Sequence, residues 1–495
     1  MAAQDTPIAH CPAVFLAAPA SGQGKTTITA GLARYFVRQG KQVRVFKMGP
    51  DYLDPQILAQ AADSPVEPLD LWMADRAYCQ QQLYLAALEA DLILVEGAMG
   101  LFDGTPSSAD VAEAFNLPVV VVLDVKGMAQ TTAALALGLA QYRPTIKTLG
   151  FIANRCGSAR HAQLIEDAFP ADLNLIGSLK RDDAVSLPQR HLGLVQASEQ
   201  RDQLEQQLDK ACAWLAESKI PEKLVSLLTP VAFPVGFGFF RLRSRTDAQP
   251  TSSLPERLVL SETEASQKKQ NIGFGYAQPT SSALPERSRR EQRWKTLSGI
   301  KIAIAQDAAF SFIYAANLRL LRSLGATLSF FSPLNDEKLP TADAIWLPGG
   351  YPELHAEQLS QNHAMLKALR DFHAEGHAIV AECGGFLYCL ESLTDLQQQS
   401  FPMLALLAGH GVMRSKRGCQ GMQTAVFPEG DIRGHAHHHS RSHDTPTPIA
   451  YGRRQNHPAN GEAIYRQGSL TASYLHLFFP SNPQAVAQLF TLRAE

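Results

Sequence analysis

AVFLAAPASGQGKTTITAGLARYFVRQG, Ala13–Gly40, decides the architecture of the first half of the chain. An apolar run of strand length enters a glycine-bearing turn, and TITAGLARYFVRQG beyond it spaces its apolar residues as a helix does. Gly22, Gly24, Lys25, Thr26 and Thr27 therefore sit on a strand–loop–helix turn, the context a phosphate loop requires. The glycines let backbone N–H groups approach an anion, and the helix N-terminus adds partial positive charge. Lys25 would reach the outer phosphates of a nucleotide and the Thr26 hydroxyl would bind Mg2+. The usual pattern has a further glycine where this chain has Pro19, so the loop is a variant. The bland alternative is a glycine turn that only caps a helix.

The same alternation continues outward. QVRVFK, DLILVEG, LPVVVVLDV and IKTLGFIAN read as further buried strands with helix-like stretches between most of them, the signature of a mostly parallel sheet with helices on both faces. A second series comprises GIKIAIAQD, ATLSFFSP, ADAIWLPGG, HAIVAECGG and ASYLHLFF. The region between is rich in Ser, Gln, Arg, Pro and Glu, and AQPTSSLPER (Ala248–Arg257) returns in it as AQPTSSALPER (Ala277–Arg287). That composition cannot support a core. It reads as a duplicated flexible linker, with a partner-docking motif as the lesser reading. The expectation is an α/β chain of two domains, 1–232 and 298–495, joined by a linker at 233–297.

Composition narrows the function classes. The chain has 495 residues, 45% hydrophobic and 19% charged, with a formal net charge of −2, so neither nucleic acid nor an anionic membrane is an expected partner. Seven cysteines without a CxxC pair argue against a disulfide framework or a zinc ribbon and for a reducing compartment. No run reaches the roughly eighteen apolar residues of a spanning helix. AVFLAAPASG lacks the preceding basic residues of a signal peptide. A cytoplasmic location is expected.

Acidic residues collect where the early strands end. VFKMGPDYLDP carries Lys47, Asp51 and Asp54, DLILVEGAMGLFDG carries Glu96 and Asp103, and VVVVLDVKGMAQT carries Asp124. Ligands of open α/β sheets bind outside the carboxyl ends of the strands, so these groups can converge on one crevice. Mg2+ prefers carboxylate and phosphate oxygens, which suits Thr26, Asp51 and Glu96 as its ligands. Each aspartate alone could equally cap a turn or helix, Asp54 before Pro55 above all.

IVAECGGFLY, Ile379–Tyr388, poses the question of the second half. Strand, Cys383, two glycines and helix resemble a nucleophile elbow, whose next backbone N–H, here that of Gly384, helps to bind an oxyanion. Gly349 and Gly350 in WLPGGYPELH could add a second backbone donor, and His476 in SYLHLFF is the candidate base. A lone cysteine at a strand end is otherwise a small buried residue.

APASGQGKTT, FKMGPDYLDP, EGAMGLFDG and LPQRHLGL, followed by the Gly–Gly, Cys and His elements, resemble the cobyrinic acid a,c-diamide synthase family of cobalamin biosynthesis. The resemblance spans nearly the whole chain except the linker. It implies an N-terminal P-loop domain similar to dethiobiotin synthetase and a C-terminal class I glutamine amidotransferase domain of the cobyrinic/cobyric type. Asn154 in FIANRCGS looks like the residue that reads adenine. Asp51, Tyr52, Leu53, Asp54 and Asp103 look like substrate-positioning residues that order the amidations. Arg190 and His191 face the anionic substrate or form a solvated turn. The implied activity is ATP-dependent, with Mg2+, and amidates a corrinoid carboxylate through an acyl phosphate. Cys383 would form a thioester with L-glutamine and release ammonia, with His476 moving the protons. A homodimer is left open. Alternatives are a nickel-sirohydrochlorin a,c-diamide synthase and a P-loop regulatory ATPase with a non-catalytic amidotransferase-like module.

Two departures from the family pattern stand out. Phe478 replaces a histidine two places after His476, and RGHAHHHS (Arg433–Ser440) replaces RGHEFHYS. His435 and His438 keep that pattern. The surplus histidines read as a metal cluster or, in preference, an exposed or partly packed loop.

Overall fold

Alternation within β1, Ile8–Ala17, shows how the first sheet is covered. Val14 and Leu16 belong to the core on one face and Phe15 and Ala17 to the core on the other, all fully buried. The computed structural model describes residues 6–185, 201–236, 296–416 and 418–493. Arg190, His191 and the duplicated AQPTSS segments lie outside these residues.

The first sheet adds β2 (Val43–Lys47), β3 (Glu67–Pro68), β4 (Leu92–Glu96), β5 (Val119–Asp124), β6 (Thr148–Cys156), β7 (Leu175–Lys180) and β8 (Pro230–Pro234). Its order is β3-β2-β4-β1-β5-β6-β7, all parallel, with β8 antiparallel to the start of β1. The helix Lys25–Arg38 buries Ile28, Leu32 and Phe36 against the Val14 face. Proline-rich β8 is a strand the sequence reading did not anticipate, and its edge position explains why prolines are tolerated there. It carries Phe233 and Pro234, which the sequence reading gave to the linker; Leu297, at the linker's other end, is buried too.

The second half contributes β9 (Lys301–Ala305), β10 (Thr327–Phe331), β11 (Ala344–Leu347), β12 (Ala378–Glu382), β13 (Ser392–Thr394), β14 (Ser400–Pro402), β15 (His410–Met413), β16 (Gln420–Phe427), β17 (Gly430–His437), β18 (Ser440–His443), β19 (Ala450–Arg454), β20 (Asn460–Gln467), β21 (Leu470–Ser473) and β22 (His476–Leu477). The large sheet runs β10-β9-β11-β12-β21-β20-β19-β16-β17-β22, parallel through β21 and antiparallel beyond it. A small sheet of order β14-β13-β15-β18 lies apart.

Two readings of the sequence change here. ASYLHLFF is not one strand: β21 ends at Ser473, whose Oγ accepts a hydrogen bond from Leu475 N at 3.2 Å, and the turned chain resumes as β22 at the far edge of the sheet. RGHAHHHS is not a loop but the end of β17 running into β18, with His435 and His438 buried and His437 exposed.

Both sheets belong to one compact unit. Phe478 and Tyr314 of the second half enter the core of the first, where Phe478 meets Tyr78 edge-on at 5.5 Å. Arg319 forms a bidentate ion pair with Glu67 of β3. Among the described residues no helix is long and apolar enough to cross a membrane.

Candidate active site

The phosphate loop closes on groups from four strands. Gly24 has φ +93°, and a Cβ there would lie 2.4 Å from the Asn154 Nδ2, so only glycine lets β6 approach. Lys25 Nζ donates to Met99 O at 2.8 Å and Ala20 O at 3.3 Å, tying the loop to the turn after β4. Thr26 Oγ1 lies 2.9 Å from Glu96 Oε1 and 3.3 Å from Asp54 Oδ2. Lys47 Nζ donates to the same Glu96 oxygen at 2.8 Å and stands 3.5 Å from Asp54 Oδ2. Burial opposes the Lys47 charge, but Glu96, Asp54 and Asp51 outweigh it and hold the ammonium above its usual range.

A cavity of about 220 Å³ opens beside the loop, lined among others by Gly24, Thr27, Asn154, Arg155 and Trp214. Asn154 donates to Gln23 O at 2.8 Å and accepts from Arg155 N at 2.9 Å, so it buttresses the loop at the mouth of that cavity. Asp124 is ion-paired to Arg155.

The donors beside Thr26 suit a hard cation: Thr26 Oγ1 and two carboxylates converge, and the buried Glu96 Oε2 has no hydrogen-bond partner. The aspartate there is Asp54, not the Asp51 expected from sequence. Asp51 Oδ1 accepts from Leu53 N at 3.0 Å and Asp54 N at 3.2 Å, turning the chain into the helix Asp54–Ala62 for which Leu53 is the N-cap. Asp103 folds back to accept from Gly100 N at 3.1 Å. Among the described residues no group of three or more His, Cys, Asp or Glu side chains could hold a metal, the histidines of β17 and β18 included.

In the second half, Cys383 follows β12 directly with φ +45° and ψ −97°. These are close to the angles of the first central residue of a II′ turn, a position that favours glycine, and holding a side chain there costs about 1–3 kcal/mol. The glycines around it are sterically required. A Cβ on Gly385 would lie 2.1 Å from Leu347 O, and one on Gly384 2.9 Å from Gly350 N, so the Gly350 amide closes on the Cys383 turn. A Cβ on Gly349 would lie 2.2 Å from His476 Cε1. Cys383 N donates to Ser473 O at 2.8 Å, anchoring the turn to β21. Burial pushes the Cys383 thiol up, Glu353 and Glu462 add to this, and the Gly384 N–H opposes it. Burial drives His476 well below its ordinary value, with His435, His437 and His438 acting in the same direction. Both shifts favour the neutral thiol and the neutral imidazole.

Tyr52 leaves the acidic loop of the first half and enters the second. Its ring centroid lies 5.1 Å from His476, 5.6 Å from His435, 4.9 Å from Phe312 and 4.5 Å from Tyr314. One loop therefore carries Asp54 to the phosphate cradle and Tyr52 to the histidine.

The family described as "CobQ/CobB/MinD/ParA nucleotide binding domain" matches residues 14–195, and that described as "CobB/CobQ-like glutamine amidotransferase domain" matches residues 301–484. The hydrogenobyrinate a,c-diamide synthase of Stutzerimonas stutzeri is 45% identical over 97% of this chain and 98% of its own. The chain belongs to the cobyrinic acid a,c-diamide synthase family. Other relatives are the hydrogenobyrinate a,c-diamide synthase of Pseudomonas aeruginosa, 44% identical over 97% of this chain and 98% of the relative, and the cobyrinate a,c-diamide synthase of Herminiimonas arsenicoxydans, 41% over 97% and 96%.

The structure gives Phe478 an apolar task in the joined core. His438 Nε2 donates to Glu462 Oε1 at 2.9 Å and stacks on Tyr474 at 3.9 Å, whereas His435 stacks on His476 at 5.0 Å. Phe312, Tyr314, Asn317 and Arg319 were not singled out from sequence. The alternation of Phe310, Phe312 and Tyr314 was the available signal, and it gives no hint of a partner in the other half.

Proposed function

We propose that this chain is a carbon–nitrogen ligase of the cobalamin pathway that amidates the a and c side-chain carboxylates of cobyrinic or hydrogenobyrinic acid. Residues 1–232 act as the ATP half and 298–495 as the amidotransferase half. The observation that carries this reading is the pairing, in one compact unit, of the loop Gly22–Thr27 with the strained Cys383 turn and His476, which Gly350 and Gly349 respectively approach. Full-length similarity to relatives named for these substrates supports it.

A carboxylate is a poor electrophile, so activation comes first. The γ-phosphoryl group of ATP passes to a substrate carboxylate oxygen and ADP leaves, with Lys25 and Lys47 close to the developing charge. Mg2+ held by Thr26, Asp54 and Glu96 would supply charge neutralisation at the phosphates. Asn154 and the adjoining cavity take the nucleoside. Asp51, Leu53 and Asp103 border the substrate.

Ammonia arises at the other end. Cys383 Sγ gives its proton to His476 and attacks the glutamine carboxamide carbon, with the N–H groups of Gly384 and Gly350 meeting the oxyanion. His476 returns the proton to the departing ammonia, leaving a thioester that water hydrolyses to glutamate. Ammonia then attacks the acyl phosphate and displaces phosphate, forming the amide.

A regulatory ATPase with a dead module would have lost the nucleophile or its base, and this chain keeps both. The test is incubation with Mg2+-ATP and 15N-amide glutamine against cobyrinic acid, hydrogenobyrinic acid and nickel-sirohydrochlorin. Two successive incorporations of label are expected on one of the first two. No label on any macrocycle overturns the reading.

A further inference from the structure

We propose that Asn317 is a positioning residue of the catalytic base, its side-chain amide standing in for a missing strand along Leu477–Phe479, the segment that directly follows His476. The inference rests on the reading of Cys383 and His476 as the glutamine-hydrolysing pair. Strand β22, which carries His476, is the outermost strand of its sheet and pairs on one side only, through His435↔His476 and Gly434↔Leu477 to β17. Phe478 N extends that pairing to Arg433 O at 2.8 Å.

On the open side stands Asn317, 1% exposed, from the helix Ala315–Ser323. Its Nδ2 donates to Leu477 O at 2.8 Å, and its Oδ1 accepts from Phe479 N at 2.9 Å. A residue of a parallel strand bonds its neighbour in the same way, to the carbonyl before and the amide after the residue opposite. Besides β17 and Asn317, this backbone has a further polar partner in the buried Glu382 carboxylate, which accepts from Leu477 N. Leu477 and Phe478 follow His476 in place of an acidic residue, and the His476 Nδ1 is buried with no hydrogen-bond partner. Around the imidazole lie the rings of His435, Tyr52 and Phe312 and the backbone of Gly349, where a Cβ would come within 2.2 Å of Cε1. The place of the ring is therefore set in part by the backbone of β22, to which Asn317 adds two hydrogen bonds. Cys383 is fixed independently through Ser473.

The test compares Asn317→Leu and Asn317→Asp with the unaltered full chain, using glutamine and ammonia as alternative nitrogen sources. Misplacing a catalytic group by about 1 Å can cost about a hundredfold in rate. In Asn317→Leu the glutamine-dependent kcat is expected to fall about tenfold to a hundredfold, with KM for glutamine little changed and ammonia-dependent amidation kept. Asn317→Asp, which keeps the acceptor for Phe479 N and loses the donor, is expected to lie between. Unchanged glutamine-dependent kcat in both variants overturns the proposal. So does an equal loss of the glutamine and ammonia rates, which is what a merely structural asparagine gives. If the unaltered chain releases no glutamate from glutamine, the glutaminase reading itself fails, and that result is distinct from either variant's.

Discussion

The Tyr52 ring lies 5.1 Å from the His476 ring, although the two residues come from opposite halves of the chain. The sequence reading gave Tyr52 a part in positioning the substrate and ordering the amidations. Its aromatic neighbours are Phe312, Tyr314, His435 and His476 of the amidotransferase half. Two residues further on, Asp54 stands beside Thr26 and Lys47. A shift of this loop on nucleotide binding would be felt at the base.

Tyr52→Ala is accordingly expected to lower glutamine-dependent amidation by about tenfold more than ammonia-dependent amidation, since it loosens the packing that orients the base. Tyr52→Phe keeps the stacked ring and should stay close to the unaltered rates. Steady-state rates with the two nitrogen sources check this; equal losses in Tyr52→Ala would contradict it.

Glu96 is fully buried and holds Thr26 and Lys47 together. Glu96→Gln leaves the buried Lys47 ammonium short of compensation, and breaking such a pair typically costs about 3–5 kcal/mol. Asp54 and Asp51 remain nearby, so the lower end is expected. Thermal unfolding should show the loss, and amidation should fall with ammonia as well as with glutamine. A variant impaired with glutamine alone would be inconsistent with Glu96 serving the ATP half.

The buried histidines predict acid sensitivity. Burial lowers His435 to about 3 and His476 well below its ordinary value, while the unfolded chain keeps both near 6.5. The unfolded state therefore binds more protons below that value. Their contribution is complete above about pH 6.5 and declines as pH falls, by about 2 kcal/mol at pH 5 for His435. The unfolding temperature should drop between pH 7.5 and pH 5, and His435→Phe should make the drop shallower. The same drop in His435→Phe would contradict the assignment.

Cys383 stores strain that its chemistry does not require when glutamine is absent. With φ at +45°, Cys383→Gly should be more stable than Cys383→Ala by about 1 kcal/mol or more, because glycine accepts positive φ without a Cβ clash. Parallel thermal unfolding of the two variants measures this directly. An alanine variant as stable as the glycine one would mean that the turn is relaxed.

Much of this was legible in local pattern. The strand–Gly–Lys–Thr–helix unit and the strand–Cys–Gly–Gly–helix unit are short-range arrangements, and period and glycine placement betray them. What sequence did not reveal depends on contacts across long separations. The exchange of Asp51 for Asp54 turned on which aspartate a two-residue turn consumes. The break of ASYLHLFF at Ser473 hinged on one hydroxyl, and a continuous apolar run conceals it. Asn317 is an unremarkable polar residue in a helix until β22 is seen beside it with no strand on that edge.

One chain is thus expected to make ammonia at Cys383 and to use it at a carboxylate activated by ATP. The most direct test is amide formation by Cys383→Ala on the preferred macrocycle with Mg2+-ATP, glutamine and ammonia being supplied in separate reactions. No amidation with glutamine and near-normal amidation with ammonia are expected. Persistent amidation with glutamine, or loss with both donors in a folded protein, would contradict this.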